Sequence, residues 1–195
     1  MRLFRYLPLL VVVCCVQVAE AHVQHGAAAG FITGFSHPIS GLDHVVAMIA
    51  VGLWGAQLGA PAIWLLPVAF PMVMAVGGTL ALIGVPLPGT EIGIAVSAIL
   101  LGCAVITEAR PPLAVAAAIT AFFAIFHGHA HGAELPPGAD GLVYSLGFVI
   151  ATGGLHAVGI AIGLLNRWMW GRRALRLAGG AIGAAGVFFL WRAGF

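Results

Sequence analysis

Two short segments of this chain hold five of its eight histidines, together with two carboxylates. The segments HPISGLDH (37–44) and FHGHAHGAE (126–134) contribute His37, Asp43, His44, His127, His129, His131 and Glu134. Imidazole and carboxylate together suit nickel, zinc, cobalt or copper(II), whereas the lack of a thiolate in either segment argues against copper(I) or iron–sulfur chemistry. The two segments therefore predict a site for a divalent transition metal.

The spacing within each segment is typical of one face of a helix. His37 and His44 lie seven residues apart. His127, His131 and Glu134 follow one another at intervals of four and three. Residues at such intervals share a helix face. We therefore expect these five side chains, with the aspartate of the first segment, to bind one ion if the two helices meet.

The composition of the chain places these segments in a membrane protein. The chain has 195 residues, of which 62% are hydrophobic and only 7% are charged, and it contains no lysine. Such a chain cannot cover a soluble surface with charge, and its arginines form no stripe that suits nucleic acid. A span needs about 20 apolar residues. We predict an all-α membrane protein, a bundle of about six transmembrane helices, with approximate spans 38–58, 62–84, 90–107, 111–130, 141–165 and 174–192.

The N-terminus has the features of a secretory signal peptide. Arg2 and Arg5 precede an apolar run, and Ala19-Glu20-Ala21 resembles a small-residue cleavage signal. We expect residues 1–21 to be removed, which leaves one transmembrane helical domain over 22–195. An uncleaved seventh span is the alternative.

The arginines predict the orientation of the bundle. The connection after the fifth span contains Arg167, Arg172, Arg173 and Arg176. The charged side chains in the connection after the fourth span are all acidic. Cytoplasmic loops are enriched in arginine, so both metal-binding segments are expected at the outer face. The mature N-terminus is then periplasmic. Pro38 suits the first helical position of the first span, where a missing N–H costs nothing.

The chain resembles the HupE/UreJ family of hydrogenase and urease accessory membrane proteins. The resemblance lies in His37, five residues and then Asp43-His44, and in FHG-x-AHG-x-E (126–134), and it continues through AVGLW (50–54), Glu91 and ATGGLH (151–156). It implies a permease of the bacterial inner membrane that carries nickel, with cobalt as a second candidate, for hydrogenase or urease maturation proteins. Nickel is then a transported substrate and not a catalytic cofactor. His129 stands at a variable position of the signature.

Further polar side chains suggest a path for the metal. His156 lies 15 residues into the fifth predicted span, about 22 Å along a helix, and is a candidate inner station. Glu91 opens the third span at the outer face and is a candidate for the same site. His129, and His22 and His25 at the mature N-terminus, are weaker candidates for capture. The alternative for His156 is a hydrogen bond to a neighbouring helix, and for Glu91 it is a solvated helix end. For His22 and His25 it is a tail without a role.

Three classes of function fit a metal site in such a bundle. A transporter is favoured, since an ionisable group within a span is costly and by default a candidate for function. A scaffold or sensor that binds nickel without moving it is the main alternative. A zinc enzyme with Glu134 as base is disfavoured, because the chain has no His-Glu-x-x-His helix. A haem protein is disfavoured by the carboxylates beside the histidines. We expect no enzyme activity.

Overall fold

A computed structural model describes residues 27–135 and 138–194, which form helices joined by short connections and contain no strand. These helices are α1 Ala27–Ser40, α2 Leu42–Leu58, α3 Ala62–Leu82, α4 Thr90–Thr107, α5 Leu113–Ala133, α6 Gly141–Gly163 and α7 Met169–Gly194, with a short 3₁₀ helix Leu164–Arg167 before the last. The expected signal peptide, His22 and His25 lie outside the described residues.

The helices α3 to α7 are each long and apolar enough to cross a membrane, and the bent pair α1 and α2 gives a sixth candidate span. The protein is therefore an all-α membrane protein with five or six candidate spans, where about six were predicted. The last helix begins at Met169 and not near residue 174. Arg172, Arg173 and Arg176 consequently lie in the first turns of α7, and only Arg167 lies in the connection.

The expectation of one continuous helix over 38–58 is wrong. The axes of α1 and α2 differ by 80°, and Gly41 between them has extended backbone, with φ −90 and ψ 110. Pro38 lies inside α1 and not at the start of a helix. His37 and His44 therefore belong to different helices, and their seven-residue spacing is not what brings them together.

The direction of α1 is set by close packing on α6. A Cβ atom on Gly34 would overlap the carbonyl of Tyr144, and a Cβ atom on Gly147 would overlap the carbonyl of Phe31. Small residues let helix backbones approach this closely within a membrane. The break at Gly41 thus allows α1 to leave the line of α2 and lie against the first turns of α6.

The same kind of contact joins α3 to α5. A Cβ atom on Gly128 would overlap the backbone of Met74, and one on Gly132 would overlap the backbone of Gly78. Because Gly128 lies directly after His127 and Gly132 directly after His131, these contacts fix how far both histidines extend into the bundle.

Candidate metal site

A cavity of about 250 Å³ lies at the end of the bundle where α2 and α4 begin and α5 ends. Its lining combines imidazole and carboxylate side chains from four parts of the chain, namely His37, Asp43, His44, Glu91, His131 and Glu134. Five of the six residues predicted as metal ligands thus meet in one cavity, and the sixth, His127, is reached through His44. Glu91 joins them as the sequence suggested.

The outermost group of potential ligands consists of His37, His131 and Glu134. One ligand atom from each residue lies within 4.8 Å of the others, and His37 Nε2 is 3.0 Å from Glu134 Oε2. Nitrogen and oxygen ligands bind a transition metal at about 2.0–2.2 Å, so donors on one ion are roughly 3–4 Å apart. Small side-chain rotations suffice to bring these three donors onto one cation.

His44 is oriented by its neighbour Asp43. The Asp43 Oδ1 atom accepts hydrogen bonds from the His44 backbone N–H at 2.9 Å and from His44 Nδ1 at 3.0 Å. With the proton held at Nδ1, the Nε2 atom keeps its lone pair. His44 Nε2 is buried and has no hydrogen-bond partner in the described residues. A carboxylate that holds one ring nitrogen while the other is free is the usual arrangement around a metal-binding histidine.

The imidazole rings continue from the cavity into the bundle. The centroid of the His131 ring is 4.7 Å from that of His37 and 4.2 Å from that of His44. The His127 ring follows at 4.8 Å from His44 and is fully buried. Four histidines from α1, α2 and α5 thus form one continuous column of rings.

Beyond His127 the column meets one aromatic residue before the next histidine. The ring of Phe70, on α3, lies 5.4 Å from that of His127 and 5.6 Å from that of His156, on α6. Phe70 is fully buried and His156 is 1% exposed. The predicted inner station, His156, is therefore inside the bundle, and the single ring of Phe70 lies between it and His127.

The ring nitrogens of His131 are unusual for a buried side chain. The residue is 5% exposed, yet within the described part of the chain neither Nδ1 nor Nε2 has a hydrogen-bond partner. Burying a polar group without a hydrogen bond costs about 1–3 kcal/mol in proteins. An unpartnered ring nitrogen on a residue that lines the cavity is free to bind a cation.

One of the weaker predicted residues, His129, lies apart from this column. His129 packs beside the loop between α3 and α4, where its Nε2 is 2.9 Å from the Val85 carbonyl oxygen. His129 is therefore not among the residues that line the cavity. His22 and His25 precede the described residues.

Two residues beside the column, Ser97 and Phe70, were not predicted from the sequence. The Ser97 hydroxyl lies 2.9 Å from His127 Nε2, and the signal for it was a hydroxyl side chain within an otherwise apolar span, since polar residues there are candidates for function. Phe70 stands in an apolar stretch between Pro67 and Pro71, and an apolar side chain among others gives no such signal.

Two comparisons with known proteins match most of this chain. The family model described as HupE / UreJ protein matches residues 10–189. Protein HupE of Rhizobium leguminosarum bv. viciae is 44% identical over 173 residues, which cover 89% of this chain and 90% of that protein. No solved structure matches the chain. Since both matches extend over most of the sequence, the chain belongs to the HupE/UreJ family.

Proposed function

We propose that this protein is a permease that carries nickel across the bacterial inner membrane, with cobalt as a second substrate, and supplies hydrogenase or urease maturation proteins. The observation that carries the proposal is the column of imidazole rings that begins in a carboxylate-lined cavity and leads towards His156. A protein that only stored the metal at its surface would need no histidines below the cavity. Membership of the HupE/UreJ family supports the same conclusion.

The arrangement suits stepwise exchange of ligands. The cation first meets the carboxylates and His37, where it loses part of its water. His131 then shares contacts with both His37 and His44, so the ion can gain one imidazole before it leaves another. Binding at each step must be strong enough for capture and weak enough for release. Imidazole and carboxylate suit nickel and cobalt alike.

The orientation follows from the arginines. At the end of the bundle opposite the cavity the described helices and connections place Arg110, Arg167, Arg172, Arg173 and Arg176. Cytoplasmic segments are enriched in arginine, so the cavity is proposed to face the periplasm. We further propose that residues 1–21 are cleaved and that residues 22–195 form a single transmembrane domain.

Nickel flux is the direct test of transport. Purified protein in liposomes that enclose a nickel-sensitive dye is expected to admit externally added nickel faster than protein-free liposomes, with competition from cobalt. Zinc, added in a separate arm, measures how selective the site is. Stoichiometric nickel binding by the purified protein without any flux would contradict the permease and identify a scaffold.

Glu91 is expected to affect capture of the cation more than its passage. Glu91→Gln removes one negative charge from the cavity, and a unit charge about 4 Å away in water changes an interaction by about 1 kcal/mol per unit of ligand charge. For a divalent cation this amounts to about 2 kcal/mol, so we expect the nickel concentration for half-maximal uptake to rise up to about thirtyfold, while the maximal rate changes little. Initial rates of nickel uptake over a range of concentrations measure both quantities.

Asp140 provides a matched control for this variant. Its side chain is at the same end of the bundle and accepts hydrogen bonds from the backbone N–H groups of Leu142 and Val143 at the start of α6. Asparagine caps helices as well as aspartate does, so Asp140→Asn removes one charge and keeps the fold. An equal rise of the half-maximal nickel concentration in both variants would mean that general surface charge, and not the cavity, attracts the cation.

A further inference from the structure

Ser97 of α4 contacts two different groups with its single hydroxyl. The Ser97 Oγ atom is 2.6 Å from the carbonyl oxygen of Ile94 in its own helix and 2.9 Å from Nε2 of His127 on α5. Ser97 itself has no exposed surface. Both contacts are therefore made away from water, and the single hydroxyl proton has to be assigned to one of them.

The two distances decide where that proton is. Two oxygen atoms approach to 2.6 Å only when a hydrogen bond joins them, and a backbone carbonyl has no hydrogen to donate. The Ser97 hydroxyl must therefore donate to the carbonyl of Ile94. Towards His127 it is left with a lone pair and can only accept. The 2.9 Å contact is then a hydrogen bond donated by the Nε2–H group of His127.

We infer that Ser97 is a positioning residue that fixes the tautomer of His127 and thereby presents the Nδ1 lone pair to the transported cation. His127 Nδ1 is buried and has no hydrogen-bond partner among residues 27–135 and 138–194. A histidine with its proton held at one nitrogen binds metal through the other. Ser97 holds the proton of His127 at Nε2, as Asp43 holds the proton of His44 at Nδ1. The acceptor is a neutral hydroxyl for His127 and a carboxylate for His44.

The neutral acceptor has a consequence for the strength of the site. A carboxylate behind a metal-binding histidine raises the basicity of the ligand nitrogen, whereas a hydroxyl only orients the ring. His127 is thus a weaker ligand than His44, as an ion that must move on from the outer group requires. This inference rests on the proposed function, because it assigns a role to Ser97 within the same path.

The tautomer is tested without metal on the unmodified protein. Nitrogen-15 NMR of histidine-labelled protein in lipid is expected to show His127 protonated at Nε2 and unprotonated at Nδ1, with the resonance assigned by its loss in His127→Gln. A wild-type His127 protonated at Nδ1 would overturn the inference. This result does not depend on whether the protein transports nickel, so it fails separately from the permease.

The effect on the metal is measured with variants of Ser97. Ser97→Ala is expected to slow nickel uptake about tenfold to hundredfold, as loss of such supporting groups usually does, and to add the Nδ1–H form to the His127 signal. Ser97→Thr keeps the hydroxyl and is expected to restore the Nε2–H form. Thr120→Val is the matched control, because Thr120 is equally buried and its hydroxyl also bonds within its own helix. Equal rates of nickel uptake in Ser97→Ala and the wild type would also overturn the inference.

Discussion

Replacing His131 by alanine is expected to reduce nickel uptake to the level of cells that lack the protein. His131 is the residue that the outer group and the deeper column share, since its ring contacts those of both His37 and His44. Loss of a supporting residue near a metal costs about tenfold to hundredfold in affinity or activity, and loss of the ligand itself costs more. Uptake of radioactive nickel, with membrane content of the protein measured in parallel, provides the test.

A second variant separates loss of the ligand from loss of the fold. His131→Phe keeps an aromatic ring in contact with Phe148, whose centroid is 4.4 Å away, but has no nitrogen. Because neither ring nitrogen of His131 bonds to any described residue, the apolar ring removes a desolvation cost and leaves little cavity. We expect His131→Phe to be as stable as the wild type and as inactive in nickel uptake as His131→Ala.

His129 is the matched control on the same helix. It lies two residues before His131, but its Nε2 contacts the Val85 carbonyl oxygen and not the column. His129→Ala should therefore retain most of the nickel uptake. Wild-type uptake by His131→Phe would contradict the proposed path, and equal losses in the His129 and His131 variants would mean that any histidine at this end of α5 is needed only for folding.

The location of the site was predictable because it depends on rules that act locally along the chain. Apolar length gives the spans, proline and glycine mark the connections, and alternating helices return His44 and His131 to the same end of the bundle. Because the bundle is small, two polar clusters at the same end of it lie close together. The cavity that contains His37, Asp43 and Glu134 is the result.

The break at Gly41 was not predictable, because nothing local demands it. Residues 38–58 read as one apolar span, and His37 and His44 have helical spacing. The decisive interaction is the packing of Gly34 and Gly147 between α1 and α6, which are more than a hundred residues apart in the chain. Tertiary contact of this kind overrides local propensity. Packing between two other helices, α4 and α5, brings Ser97 to His127.

The close contact between α3 and α5 holds the column together from outside the metal path. A Cβ atom on Gly128 would overlap the carbonyl group and Cα of Met74. A backbone cannot rotate aside as the end of a flexible side chain does, so the two helices would have to separate. His127 contacts Phe70 of α3 through its ring, and the contact would be lost with that separation.

Gly128→Ala is therefore expected to lower both the stability of the protein and its nickel uptake, although the variant removes no ligand. Adding atoms to a tightly packed interior costs about 1–3 kcal/mol and occasionally more, and we expect a melting temperature in detergent several degrees below that of the wild type. Gly154→Ala is the control, because a Cβ atom on Gly154 of α6 has nothing within 4 Å and alanine favours a helix by about 0.8–1.0 kcal/mol. If the two variants melted and transported alike, the spacing of α3 and α5 would not determine the geometry of the column. A fall in uptake with Gly128→Ala alone would show that helix packing, as much as the ligands, positions His127 against Phe70 within the column.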